Sequence, residues 1–108
     1  MNGHQLADAG IERARLTAEA ECSNWTDRIM AELRLWLVQR NPKEFAIEDF
    51  RAYVEIWEHE LVPASTNAWG SVAQTAVRRG IIKNTGRRRP ARSRATHAHQ
   101  VPVYVRAV

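Results

Sequence analysis

No aspartate or glutamate follows Glu60, although nearly half of the chain lies beyond it. Residues 1–62 hold all 12 acids beside seven Arg/Lys, whereas residues 63–108 hold nine Arg/Lys and no acid. Net charges of −5 and +9 therefore sit behind an overall +4. Such asymmetry points the basic half at a polyanionic partner. Cysteine is almost missing as well. Cys22 is alone, which excludes an internal disulfide and fits a reducing compartment. The longest apolar run is Leu35 to Val38, far short of the roughly 20 residues a membrane helix needs. The opening MNGHQLADAG lacks the basic-then-apolar pattern of a secretory leader, so a soluble cytoplasmic protein is expected.

Enzyme signatures are missing too. There is no phosphate-cradling glycine loop, no nucleophile elbow and no paired-carboxylate motif, so a non-enzymatic protein without a cofactor is expected. Thr96-His97-Ala98-His99 places two imidazoles on one side of an extended segment, but no acid or cysteine lies nearby to complete a metal site. His59, between Glu58 and Glu60, reads as solvated polarity. A nuclease built from histidine and carboxylate groups finds no supporting spacing.

What is present is a helical pattern followed by a β pattern. A hydrophobic content of 44% with 26% charge fits one domain with a modest core. Residues 1–22 read as an N-terminal helical extension with a thin stripe of Leu6, Ile11, Ala14 and Ala18, whose alanines predict weak docking. Ser23 or Asn24 suits the N-cap of the next helix, and Asp27 suits its positive end. Ile29, Met30, Leu33, Trp36 and Leu37 recur at helical spacing until Pro42 ends the run. Lys43–Ala46 is short enough for a strand stub. Ile47, Phe50, Val54 and Trp57 then mark a second amphipathic helix.

A third helix, over about 66–79, places Trp69, Val72, Ala73, Ala76 and Val77 on one face. Gly80 ends it. Its other face reads Asn67, Ser71, Gln74 and Arg78, flanked by Thr75 and Arg79, with no acid. Ile81-Ile82-Lys83 reads as a strand, Asn84-Thr85-Gly86 as a turn and Arg87 to Arg94 as a basic loop. Val101, Val103 and Val105 alternate with Pro102, Tyr104 and Arg106 in a closing strand, which Pro102 assigns to an edge.

The expected fold is therefore mainly α with a small antiparallel β-hairpin. It is a winged helix-turn-helix over 23–108, with a wing over about 83–100, preceded by the N-terminal helix. In that architecture the third helix enters the major groove, where Asn and Gln pair with adenine and Arg with guanine. The candidate DNA-binding residues are Asn67, Ser71, Gln74, Thr75, Arg78 and Arg79 on the helix. The wing adds Lys83, Arg87, Arg88, Arg89, Arg92, Arg94 and His97, a density of cations that phosphate neutralisation explains. Of the four tryptophans, Trp36, Trp57 and Trp69 fall on apolar stripes and are expected in the core, with Trp25 less clearly placed.

Four segments carry a resemblance: Asn67-Ala68-Trp69-Gly70, Ala76-Val77-Arg78-Arg79-Gly80-Ile81-Ile82, Arg94-Ala95-Thr96-His97-Ala98-His99 and Val101-Pro102-Val103-Tyr104. Together they resemble small phage and prophage proteins placed among replication or DNA-transaction genes. The resemblance implies a winged-helix-like domain, a role in phage DNA metabolism inside a bacterial host cell, and no catalytic residue. Duplex DNA is the expected partner. A module of another kind is the alternative, one that recruits or inhibits a host replication or defence protein through the acidic N-terminal half. A palindromic DNA site would require a homodimer.

Overall fold

Helix formation follows the apolar spacing, and the computed structural model describes residues 10–18, 24–65, 67–92 and 99–107. Helix α1 covers residues 10–18. Helices α2 (Trp25–Arg40), α3 (Ile47–Trp57) and α4 (Ala68–Arg78) follow, with a 3₁₀ turn at His59–Leu61 between the last two. Strands β1 (Ile82–Pro90) and β2 (Gln100–Arg106) form a two-stranded antiparallel sheet. The protein is thus mainly helical with a small hairpin. None of the described helices is long and apolar enough to cross a membrane.

Helix α2 buries Trp25, Ile29, Met30, Leu33, Trp36 and Leu37. Asn24 precedes it in a left-handed conformation, φ 60°, and makes no side-chain cap bond, so the expected capping role is not taken by that residue. Asn41 stops the helix at φ 44°, its N–H donating to Leu37 O at 3.0 Å, just before Pro42. Trp25 is enclosed at the base of the core and donates its indole N–H to Leu61 O at 2.8 Å.

The α3 stripe is shorter than its sequence pattern. Phe50 and Val54 are buried, but Ile56 and Trp57 are 71% and 66% exposed. The helix ends at Trp57, the backbone departs from helical geometry at Glu58, and Leu61 on the 3₁₀ turn enters the core. Trp57 is left beyond the edge of the bundle, against the expectation of a core position. Trp36 instead holds the aromatic centre, edge-on to Phe45 at 5.2 Å and tilted to Phe50 at 5.6 Å between ring centroids.

The strand stub reduces to one residue. Phe45 pairs with Tyr104 through both backbone bonds, N–H to O at 2.9 and 2.7 Å. Strand β2 therefore lies between β1 and this stub at Tyr104. Backbone groups alternate sides along a strand, so Pro102, two residues before Tyr104, turns its missing donor away from β1 and costs the ladder nothing.

Helix α4 buries Ala68, Trp69, Ser71, Val72, Thr75 and Ala76, while Val77 is 42% exposed. The inward face is thus turned by roughly a quarter of a revolution from the one the apolar pattern predicts. Ser71 tolerates burial because its hydroxyl donates to Ala68 O at 2.6 Å, one turn back. Gly80 closes the helix at φ +73°. Ile81 N–H reaches Ala76 O at 2.9 Å and Gly80 N–H reaches Val77 O at 3.1 Å, the paired bonds of a Schellman ending.

The hairpin is longer than expected. Asn84-Thr85-Gly86 is a bulge inside β1 and not a turn, since Asn84 pairs with Tyr104 while Arg88 pairs with Pro102. Asn84 Oδ1 accepts from Gly86 N–H at 2.8 Å. Thr85 Oγ1 accepts from Arg87 N–H at 3.1 Å and donates to Val103 O at 2.8 Å. Side chains thereby satisfy the backbone that the bulge takes out of the ladder. The segment from Arg87 to Pro90, expected in a loop, is strand.

Candidate nucleic-acid interface

Every described acid belongs to the first half of the chain, and folding carries several of them to the hairpin. Arg89 crosses to the first turn of α3, where its guanidinium lies 2.7 Å from Asp49 and 3.3 Å from Glu48. Asp49 Oδ2 also accepts from Ala46 N–H at 3.0 Å, which ties the start of the helix to the same carboxylate. Arg92 adds a backbone N–H to Glu48 at 2.8 Å, with its guanidinium 3.6 Å from Asp49. Arg87 meets Glu44 at 2.6 Å, and Arg79, just past the end of α4, meets Asp27 of α2 at 3.1 Å.

Exposure decides which pairs hold the fold and which can be given up. The Arg89 side chain is 20% exposed, against 15% and 23% for Glu48 and Asp49. Burial pulls its pKa down, but the hydrogen bonds and charges of Asp49 and then Glu48 outweigh that and hold it above the usual value. Its Nε is enclosed without a hydrogen-bond partner among the described residues, which lowers the worth of the clamp. Arg79 and Arg87 are 42% and 63% exposed. Such pairs are worth about 0–1 kcal/mol, so either guanidinium can exchange its carboxylate for a phosphate at little cost. Arg92 is 73% exposed and is placed mainly by its backbone.

Four cations of the acid-free segment form no ion pair among the described residues: Arg78 at the end of α4, and Lys83, Arg88 and Arg106 on the hairpin. All are exposed. Among the described residues, Arg88 makes a long hydrogen bond, 3.4 Å, to Gln100 O. Arg106 was not a candidate from sequence, where it reads as one polar position of an alternating strand. Its place opposite Ile82 brings it to the base of the hairpin.

The helix candidates divide. Asn67 is exposed at the start of α4, and Gln74 and Arg78 are exposed on its outward side, whereas Ser71 and Thr75 are 4% and 8% exposed and face the core. Arg94 and His97 lie outside the described residues. Beside Gln74 and Arg78 runs an open groove of about 910 Å³. It is lined by Ala73 and Val77 of α4 and Val101 and Pro102 of β2, together with the carboxylates of Glu12 of α1 and Glu48 of α3. Among the described residues no group of three or more His, Cys, Asp or Glu could hold a metal ion. No protein-family model matches the chain, and searches of curated proteins and of solved structures give no match.

Proposed function

We propose that the chain is a non-enzymatic, winged-helix DNA-binding protein that holds duplex DNA between α4 and the hairpin, in phage replication or regulation. The observation that carries the reading is the set Arg78, Lys83, Arg88 and Arg106, exposed cations with no ion pair among the described residues, on a segment free of acids. Further support comes from the order α2, stub, α3, α4, hairpin, with Phe45 paired to the last strand. That is the order in which a winged helix-turn-helix arranges its parts. Gln74 and Arg78 then offer base-reading side chains, and the hairpin cations neutralise phosphate.

Fluorescence anisotropy with a labelled duplex across a salt series tests the proposal. Four phosphate contacts give a slope of log K against log[salt] of about −4. A flat response, or no binding to any duplex at low salt, overturns it.

A second reading is favoured by the exposed pair Ile56 and Trp57 at the end of α3, a patch that solvation does not explain. Under it the acid-bearing half binds a protein. Trp57→Ser then abolishes the activity in the host cell, while joint replacement of Arg78, Lys83, Arg88 and Arg106 by alanine spares it.

A further inference from the structure

The outward side of α4, on which duplex binding depends, carries a covering segment. Helix α1 lies against it. A methyl group placed on Gly70 would come within 3.0 Å of Ile11 Cδ1 and 3.1 Å of Ile11 Cγ1. Carbon atoms do not approach so closely without repulsion, so a side chain at residue 70 would push Ile11 back by a few tenths of an ångström. Glu12, the next residue of α1, lines the same groove as Gln74, Val77 and Arg78. It brings a second carboxylate to a groove that Glu48 of α3 also lines. The hydrogen bond from Arg15 holds the Glu12 carboxyl below its usual range against the opposing pull of burial, helped by the charges of Arg15 and then Arg78.

The hold on α1 is light. Its contribution to the core is Ala14 and Ala18, single methyl groups that remove little apolar area from water. Leu16, the largest apolar side chain between residues 10 and 18 apart from Ile11, is 55% exposed. Helix α2, by contrast, is fixed by six buried side chains, two of them tryptophans. A segment seated by one isoleucine and two alanines can leave while the rest of the fold stays intact.

We propose that α1 is an intrachain cover that competes with duplex DNA for the outward face of α4, seated by Ile11 on Gly70 and with Glu12 beside Arg78. The inference rests on the duplex-binding reading and adds its regulation. A cover seated about nine-tenths of the time raises the apparent Kd about tenfold, because only the open fraction binds.

The test uses the full chain and a labelled duplex at fixed salt. Ile11→Ser removes the seat without altering α4, and the expected result is binding tighter by up to about tenfold. Glu12→Gln leaves the Ile11 packing alone and removes the charge together with its pair to Arg15, with an expected gain of about twofold. Circular dichroism and the urea midpoint establish that each variant is folded, and the second variant serves if the first is not. If the parent binds with a clear salt slope and neither folded variant binds more tightly, the cover is overturned and the duplex reading stands. If neither parent nor variants bind any duplex at low salt, both fall. Tight binding by Ile11→Ser where the parent binds weakly is the strongest support.

Discussion

The two halves of the chain differ in sign, yet they are not two independent surfaces. The first turn of α3 collects Glu48 and Asp49, with Glu44 just before it, and the hairpin sends Arg87, Arg89 and Arg92 to meet them. Elsewhere on the acid-bearing half, the charges of Glu32 and Glu60 raise the carboxyl pKa of Glu58, and no arginine of the basic half pairs with Glu58 among the described residues. Part of the charge asymmetry is therefore spent internally on docking the hairpin, and part is left facing solvent on both sides. A count of charges in the sequence overstates the cations available to a polyanion. The set that remains, Arg78, Lys83, Arg88 and Arg106, is smaller, but it lies on one continuous stretch from the end of α4 through the hairpin.

The largest effect should come from removing that set. Joint replacement of Arg78, Lys83, Arg88 and Arg106 by alanine should lower duplex affinity on the order of a hundredfold near 0.1 M salt and flatten the salt slope by about four. Stability should change little, since none of the four is in an ion pair among the described residues. Anisotropy and urea unfolding of the same preparations check both halves of the statement. A large loss of stability with affinity retained would mean that the division between free and structural cations is wrong.

Arg89→Ala tests the other side of the comparison. It leaves two carboxylates, each less than a quarter exposed, without the guanidinium that bridges them. The expected cost is about 2 kcal/mol of unfolding free energy, between that of a surface pair and that of a fully enclosed one. Arg87→Ala, by contrast, should change stability by less than about 0.5 kcal/mol, because its pair with Glu44 is exposed. Urea midpoints that rank the two variants in the reverse order would break the distinction between the enclosed Arg89 clamp and the exposed Arg87 pair.

Much of this fold was readable in advance where one residue's physics sufficed. The α2 stripe, the stop at Asn41 before Pro42 and the Gly80 ending follow from local spacing or local backbone freedom, whereas the alternation expected in the last strand does not hold, because Tyr104 joins the core while Val101 and Val105 stay half-buried. The helix face was not readable, because burying Ser71 requires knowing that its hydroxyl would bond to Ala68 O. Nor was the fate of the arginines. Arg89 and Asp49 lie 40 residues apart, and no periodicity links them. Trp57 reads as core from spacing alone, and only the early departure of the chain at Glu58 leaves it outside. The candidate site was thus legible as a segment and a charge, and not as a set of available side chains.

The smallest expected effect concerns the acids that the hairpin does not reach. Glu58 has its carboxyl pKa raised, first by the charge of Glu32, then by burial, and then by the hydrogen bond and charge of Glu60, with Arg28 opposing. Tyr53, whose hydroxyl lies 3.5 Å from Glu32 Oε2, is raised as well, by burial first and the Glu32 charge second. A carboxyl with a folded pKa above its unfolded value binds more protons in the native state. Its charge therefore weakens the fold as pH rises from about the usual 4.5 through the raised folded value. Glu58→Gln should remove that dependence and leave the protein slightly more stable than the parent at neutral pH, with the difference vanishing at pH values below 4.5. Urea midpoints of parent and variant at acidic and neutral pH make the comparison. A variant less stable than the parent at neutral pH would mean that Glu58 has a favourable partner, and that the uncompensated side of the acid-bearing half is smaller than the geometry indicates.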